Sequence, residues 1–377
     1  MCKITRCIPF CLSFLLAFLL LGCSFDEEEV VFEFNAPLLE IQQEVVISET
    51  DELIFGRVFQ VIPDAEGRIF VPDSGESTIF VFDDERNFLK NIGREGRGPG
   101  EFDRVNVRFT EANELFAYDD GQRRVQIFRE TSPMNWELHE TFNVGIAGER
   151  AFPFDLTPVG DELVLANYGI GISMDDSEEN PFIGLLNRNN SNEPKRVVEL
   201  MNPDMAITRT SNSVTSWWHP FGSRSMTDFL NRSIYFAHSN DFTVYRTTIL
   251  DDATPVLDTL FSHNVSRVPL TDAVLNKAIE SYRDEGKRAI RDVGVTHKPH
   301  FQAFHVDDKK QIWVQIYADE GEPDWFVFSE TGALLFSVDL PEEYTLSVIR
   351  NNNIYGIKRD EYDVPHIVVY HITDAHY

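Results

Sequence analysis

Three histidines and an aspartate lie close together in one stretch of the chain, and these residue types can bind metal. His297, His300 and His305 precede Asp307, and zinc and copper sites use imidazole and carboxylate groups at fixed geometry. On a strand, His300 and His305 are an odd number of positions apart and face opposite sides of the sheet. The spacing therefore favours structural or solvent-facing histidines, and His300 and Asp307 remain the metal candidates of this stretch.

A glycine-rich segment, Gly93 to Gly100, has the composition of a phosphate-binding loop. Such loops need a helix N-terminus directly after them, whereas Pro99-Gly100 and a strand follow here. We therefore predict a turn in which glycines take positive φ. Arg94 and Arg97 place two cations in this turn, where they would either clamp a ligand carboxylate or pair with nearby acidic residues.

Aromatic residues give a second group of ligand candidates. Trp217 and Trp218 are adjacent and precede His219, so both indoles cannot enter one core face, and one of them would line a pocket or a rim. Rim aromatics bind sugars or apolar ligands by stacking, and packing inside the fold is the alternative. Tyr168 leads into a loop, Gly169–Asn180, that is rich in glycine and acidic residues and is a candidate for contact with a cation or a partner.

The N-terminus has the pattern of a secretory leader. Lys3 and Arg6 precede an apolar run, Ile8 to Leu21, which is too short for a membrane span. The following Gly22-Cys23 resembles the site where bacterial lipoproteins are lipidated and cleaved. We therefore expect a signal peptide over 1–22, a lipid on Cys23 that attaches the protein to a membrane, and an acidic tether over 23–29, which resembles the surface-export signal of Bacteroidetes lipoproteins.

Composition narrows the class of protein. The other cysteines, Cys2, Cys7 and Cys11, fall in the leader, so we expect the mature protein to contain no disulfide and to be held together by its core. The chain carries a formal net charge of −29, and the mature chain would reach −31 because the leader holds two basic residues and no acidic ones. This charge argues against nucleic acid and anionic lipid headgroups as partners.

One pattern recurs six times along the chain. A turn of Asp, Asn or Gly precedes a short strand that begins with Ile or Leu, and a second strand that ends on an aromatic residue or a leucine follows it. These copies place the first strand at Ile69, Leu115, Leu163, Ile234, Ile312 and Ile354. Repeats of this size predict an all-β, six-bladed β-propeller with four-stranded blades.

The sixth copy lacks its last strand because the chain ends at Tyr377. A spare β-rich segment, Val30 to Phe34 with Leu38 to Ile41, precedes the first copy. We therefore predict one domain over 30–377 in which the N-terminal strand closes the last blade and removes exposed sheet edges. The long gap of 78 residues between Ile234 and Ile312 contains helix-spaced apolar residues, which predict a helical insertion over 271–290 on the functional face.

The segment from Gly93 to Phe102, with its Gly-Pro-Gly-Glu-Phe turn, resembles the blade junction of NHL-type propellers. His300 to Val314 and Asp363-Val364-Pro365 fit the same pattern. Together they resemble the six-bladed β-propeller lipoproteins of Bacteroidetes and related bacteria, including NHL-like and TolB-like propellers. The resemblance implies a fold and a compartment, namely an outer-membrane lipoprotein that is periplasmic or surface-exposed, and it implies no reaction.

Six-bladed lactonases and lyases hold a metal with carboxylates and amides around their tunnel. That resemblance implies Asp64, Asp228 and Asp307 as metal ligands, although strand turns also favour Asp at these positions. We expect a binding module for a saccharide, another small molecule or an envelope protein. The alternative is a lactonase- or lyase-type enzyme with a divalent metal, and a third is a scaffold in an outer-membrane complex. The sequence contains no serine nucleophile elbow and no His-Glu-x-x-His.

Overall fold

The structure is a computed structural model that describes residues 31–377 except 51–52, 149, 172–178, 251 and 319–321, and without the side chains of 191–192. Cys23, the leader and the tether lie outside the described residues. Twenty-six strands and two helices occur in the described part of the chain. The first blade follows strand β1 (Ile41–Ile47) and contains β2 (Ile62–Pro63), β3 (Ile69–Asp73), β4 (Thr78–Phe82) and β5 (Phe88–Ile92).

The second and third blades follow directly. Blade 2 contains β6 (Val105–Phe109), β7 (Leu115–Asp119), β8 (Arg124–Ser132) and β9 (Asn135–Asn143). Blade 3 contains β10 (Ala151–Val159), β11 (Leu163–Ile170), β12 (Phe182–Asn187) and β13 (Asn190–Glu199). A separate hairpin then pairs β14 (Met205–Arg209) with β15 (Val214–Trp218).

The remaining blades include both helices in the connection between them. Blade 4 contains β16 (Ser225–Leu230), β17 (Ser233–His238), β18 (Thr243–Ile249) and β19 (Pro255–Ser262). Helices α1 (Asp272–Ala278) and α2 (Asp284–Asp292) precede blade 5, which contains β20 (Ala303–Val306), β21 (Ile312–Gln315), β22 (Trp325–Phe328) and β23 (Leu334–Val338). Blade 6 contains β24 (Tyr344–Arg350), β25 (Asn353–Arg359) and β26 (Pro365–Ile372).

The ring closes through the N-terminal strand, as predicted. Strand β1 pairs antiparallel with β26 and gives blade 6 the order β1-β26-β25-β24. The closing strand, β1, begins only at the end of the predicted segment. Phe32 and Phe34 belong to no strand and instead pack among the aromatic rings of blades 4 and 5. The predicted helical insertion is confirmed as two helices, and Thr271 caps the first of them through Val274 N–H.

The core lies between the blades. Each of six hydrophobic clusters joins residues of two neighbouring blades, from blades 1 and 2 round to blades 6 and 1. Second and third strands such as β3, β4 and β7 are buried on both faces, so their sequences are continuous apolar runs. This packing fixes every inner strand against its neighbours and therefore positions the groups at the inner-strand ends.

No helix in the described ranges has the length and apolarity that crossing a bilayer requires.

Candidate functional site

Two long connections form a layer on one face of the disc, which we call the cap (residues 201–224 and 263–302). Each connection joins the outer strand of one blade to the inner strand of the next, so both lie on the face where inner strands begin. A seventh hydrophobic cluster binds them together through Ala206 of the hairpin and Leu275, Ile279 and Ile290 of the helices. The cap is therefore a packed unit with its own small core.

A cavity of about 420 Å³ lies where the cap meets blades 4, 5 and 6, and we call it the cap pocket. Its volume is within the range of small-molecule sites. Polar and apolar side chains share its wall. The polar ones include Arg224, Gln302, His305, Gln315, Tyr317, Glu342 and Thr345, and the apolar ones include Met226, Phe301 and Trp325.

Hydrogen bonds hold the polar wall in place. Arg224 Nη2 donates to the carbonyl of Gln302 at 3.0 Å, and Gln302 Nε2 donates to the carbonyl of Ile316 at 2.8 Å. Gln315 Nε2 donates to Asp324 Oδ2 at 2.6 Å. Because each amide nitrogen is committed to the protein, the orientation of both glutamines is fixed with the Oε1 atom as the remaining acceptor.

Burial shifts the titratable groups around the cap pocket. It raises the pKa of Tyr317, an effect that the positive charge of Arg224 opposes, so the phenol stays protonated and can donate a hydrogen bond. Burial also raises the pKa of Asp324, although the hydrogen bond from Gln315 favours its ionised form. The pKa of His305 is lowered by burial, and the carboxylate of Asp228, 3.8 Å away, partly offsets this. At neutral pH the pocket therefore offers one guanidinium, one neutral imidazole and several neutral donors and acceptors, beside the carboxyl group of Glu342.

Asp228 belongs to a set of hydrogen bonds that link neighbouring blades at their inner strands. Every junction between neighbouring blades is bridged at or beside the inner strands by a hydrogen bond of 2.8 to 3.4 Å. The linked pairs are Gln60 with Val107, Arg108 with Asp155, Asn167 with Thr227, Asp228 with Val306, Arg350 with Val306, and Ser347 with Val61. Both Asp228 oxygens accept backbone N–H groups, from Phe229 and Val306.

Asp64 and Asp307 lie in turns at the ends of inner strands. Each accepts the backbone N–H groups two and four residues later through its Oδ1 atom. The second oxygen of Asp64 pairs with Arg68 at 2.6 Å, and that of Asp307 accepts Trp313 Nε1–H and the hydroxyl of Tyr377. Burial raises the pKa of Asp307, and these donors oppose the shift. Both aspartates are thus engaged in turn geometry.

The histidine-rich stretch is spread over different contacts. His297 contacts the hydroxyl of Thr296 at 3.0 Å, while the His300 ring packs edge-on against Phe242 at 6.4 Å between centroids. His300 Nδ1 is buried without a hydrogen-bond partner in the described contacts. The described part of the chain contains no group of three or more His, Cys, Asp or Glu side chains able to hold a metal ion. The metal assignments for Asp64, Asp228, His300 and Asp307 remain predictions.

The glycine-rich segment is a blade-to-blade turn closed by its own glutamate. Glu101 accepts Gly98 N–H through one oxygen and pairs with Arg94 at 2.9 Å through the other, while Arg94 itself is 80% exposed. Gly93 has φ +84°, and a Cβ there would lie 2.2 Å from the buried ring of Phe102. Arg97 is exposed, and the described residues provide no ion-pair partner for it. Ligand contact by Arg94 or Arg97 stays a prediction.

The aromatic candidates have three different environments. Trp217 packs on α2, where a Cβ at Gly286 would lie 2.7 Å from its ring, and the adjacent Trp218 is 56% exposed. His219 is buried, and its Nδ1 accepts Phe221 N–H at 3.1 Å. Burial lowers the pKa of His219, and the nearby charge of Asp204 partly offsets this.

Tyr168 is fully buried between blades 2 and 3 and stacks on Phe182 with centroids 4.7 Å apart. Most of the loop that follows it lies outside the described residues. The geometry therefore gives Tyr168 a packing contact, and its assignment to a ligand remains a prediction.

Comparison with known proteins supports the architecture. A family model described as a 6-bladed beta-propeller matches residues 43–132, which is less than half of the chain. No curated protein matches the chain. Together with the ring of four-stranded blades, the model match defines the chain as a six-bladed β-propeller.

Among solved structures, the chain is similar to a candidate exported protein from Bacteroides fragilis. The identity is 13% and the TM-score 0.54, over 92% of this chain and 99% of that one. A gluconolactonase from Xanthomonas campestris aligns at 12% identity and a TM-score of 0.44, covering 84% and 88% of the two chains. A virginiamycin B lyase from Staphylococcus aureus aligns at 8% and 0.39, covering 89% and 90%. The first likeness supports the fold alone, and the other two carry no argument about activity.

Proposed function

We propose that this protein is a lipid-anchored, extracytoplasmic β-propeller that binds a small polar ligand in the cap pocket. The leader and Cys23 support the anchoring, and the acidic residues that follow suit a solvated tether at the periplasmic face or the cell surface. The observation that carries the binding role is the cap pocket itself. It brings Arg224, two oriented glutamines and a protonated tyrosine to one wall of a cavity of about 420 Å³.

The chemistry of the wall suits a hydroxyl-rich ligand that also carries a carboxylate, as a sugar acid does. The guanidinium of Arg224 would pair with the carboxylate, because one of its nitrogens is already fixed by Gln302 and the side chain is exposed. The Oε1 atoms of Gln302 and Gln315 would accept ligand hydroxyls. Phe301 and Met226 supply the apolar part of the wall.

A calorimetric panel of neutral monosaccharides, sugar acids and simple dicarboxylates tests the binding role. We expect a sugar acid to bind and Arg224→Ala to weaken it at least about tenfold, since a charge-assisted hydrogen bond contributes roughly 1.5 kcal/mol or more. Arg123→Ala is the matched control, because Arg123 is an exposed arginine outside the cap pocket, and it should leave affinity unchanged. No binding by any panel member, or equal losses in both variants, would contradict the proposal.

Membrane fractionation tests the anchor. Cys23→Ala should release the protein from membranes or leave its leader uncut, whereas Cys11→Ala, in the apolar run of the leader, should behave as wild type. Membrane retention of correctly processed Cys23→Ala protein would refute lipidation at this cysteine. Elemental analysis of the purified protein distinguishes the binding role from the alternative enzyme role. A lactonase- or lyase-type site requires about one divalent metal per chain, so this content would favour the enzyme.

A further inference from the structure

Opposite charges line two sides of the cap pocket. Arg224 directly precedes β16, the inner strand of blade 4, and Glu342 lies just before β24, the inner strand of blade 6. The wall between them includes Ala303 and His305 of β20, the inner strand of blade 5. The guanidinium and the carboxylate are therefore on opposite sides of the blade 5 inner strand. They form no ion pair with each other among the described contacts.

The positive side of the cap pocket has no described carboxylate that neutralises it. Asp204 accepts the N–H of Ser223, the residue before Arg224, at 2.9 Å, but it forms no ion pair with Arg224 in the described contacts. Lys298 lies on the same side, with its Nζ atom 5.0 Å from the ring centroid of Tyr317, which lines the cavity. The described residues give Lys298 no ion-pair partner either. Two cations that a strongly acidic chain leaves unpaired suit an anionic ligand group.

Three carboxyl groups form the negative side. Burial, and then the charges of Asp339 and Glu342, raise the pKa of Asp324, so these three groups are close enough to repel one another. Asp324 is already engaged, because its Oδ2 atom accepts the Gln315 amide at 2.6 Å. Glu342 is the member of the group that lines the cavity, and it is exposed and without an ion-pair partner among the described residues. A ligand cation at Glu342 would relieve the repulsion on this side.

We propose that the cap pocket selects a zwitterionic ligand, whose carboxylate pairs with Arg224 and whose protonated amine pairs with Glu342. This inference rests on the proposed binding of a sugar acid in the same pocket. An amino uronic acid has the required chemistry, because its ring places the amine and the carboxylate on opposite sides and keeps hydroxyl groups for Gln302 and Gln315. A pocket with one charge of each sign also disfavours ligands that carry only an amine or only a carboxylate, since one pocket charge then stays unpaired.

Three related sugars separate the two charges in a calorimetric titration at neutral pH. Glucuronate carries only the carboxylate, glucosamine carries only the amine, and 2-amino-2-deoxyglucuronate carries both. We expect 2-amino-2-deoxyglucuronate to bind at least about threefold more tightly than glucuronate, because its amine gains a charge-assisted contact. Glucosamine should bind most weakly, because the guanidinium of Arg224 then has no carboxylate to pair with. Arg224→Ala should weaken both carboxylate-bearing ligands.

Two adjacent glutamates provide the matched variants. Glu343 is exposed and does not line the cavity, and its carboxylate lies 4.0 Å from the Lys358 Nζ atom. Glu342→Gln should abolish the advantage of 2-amino-2-deoxyglucuronate over glucuronate without weakening glucuronate itself. Glu343→Gln makes the same change in net charge and should keep the advantage.

The outcomes separate this inference from the proposed function. Equal affinities of the two acids for the wild-type protein, or an advantage that persists in Glu342→Gln, would overturn the zwitterion selection and leave the sugar-acid site in place. Loss of the advantage in both glutamate variants would also overturn it, because the effect would then come from net charge. Failure of all three sugars to bind would contradict the proposed function and this inference together.

Discussion

Closure of the ring can be tested at two adjacent leucines. Leu39 is 2% exposed and packs in the cluster between blades 5 and 6, whereas Leu38 is 55% exposed. Leu39 N–H donates to the carbonyl of Ser337, and Ser337 N–H donates to the carbonyl of Pro37. The N-terminal segment therefore joins two blades just before β1 completes the sixth.

Leu39→Ala removes three buried carbon groups, about 2.4 kcal/mol at roughly 0.8 kcal/mol each. The cavity left behind raises the expected loss in the free energy of unfolding to about 2.5–5 kcal/mol. Leu38→Ala, an identical substitution one residue earlier, should change it by no more than about 0.5 kcal/mol.

Urea unfolding followed by tryptophan fluorescence measures both variants, and Trp313 reports on the same cluster. We expect a lower midpoint for Leu39→Ala with an unchanged m-value, because the whole ring loses stability together. Equal midpoints for the two variants would refute the docking of this segment. A reduced m-value for Leu39→Ala would show instead that the segment detaches before the ring unfolds.

Three further predictions concern individual groups. Burial holds the pKa of His219 below 6.5, so as pH falls from about 7 to 5 this histidine takes up a proton in the unfolded chain before it does in the folded protein. The free energy of unfolding therefore falls by up to about 1.4 kcal/mol per pH unit from this group. In a plot of the urea midpoint against pH, His219→Gln should show a smaller slope than wild type, and equal slopes would contradict this. Asp73→Ala should lower the free energy of unfolding by at least about 3 kcal/mol, since the buried carboxylate accepts four backbone N–H groups. A loss below about 1 kcal/mol, measured by chemical unfolding, would show that water replaces the carboxylate as acceptor for these groups. Gly93→Ala should destabilise far more than Gly100→Ala, because both have positive φ but only the first Cβ would collide with Phe102; equal melting curves would argue against that packing.

The propeller could be predicted because the sequence features that specify a blade lie close together in the chain and recur six times. Each blade repeats a turn and two apolar strands, and the missing last strand of the sixth copy required a partner from elsewhere in the chain. The closing strand itself was harder to locate. Gln42, Gln43 and Glu44 in β1 are exposed, so only its last three residues form an apolar run. Phe32 and Phe34 have the composition of a strand and instead pack among the aromatic rings of blades 4 and 5.

The cap pocket could not be found from sequence. Arg224, Gln302 and Glu342 come from three blade junctions and belong to no motif, so only folding of the ring brings them together. The sequence shows which single residues have side chains able to bind a ligand, but it does not show what those side chains contact in the fold. Trp217 and Trp218 do divide between a packed and an exposed face, as strand alternation requires, whereas the charge of Arg94 is directed to a glutamate of its own turn.

Ligand titration against a pocket-filling variant tests the central claim of a binding site under the cap most directly. Thr345 lines the cap pocket on β24 and is exposed, so Thr345→Trp should fill part of the cavity without disturbing the core. The sugar acid that binds the wild-type protein should lose at least about tenfold in affinity, while the urea midpoint stays unchanged. Undiminished affinity in this variant would place the ligand elsewhere and contradict the account.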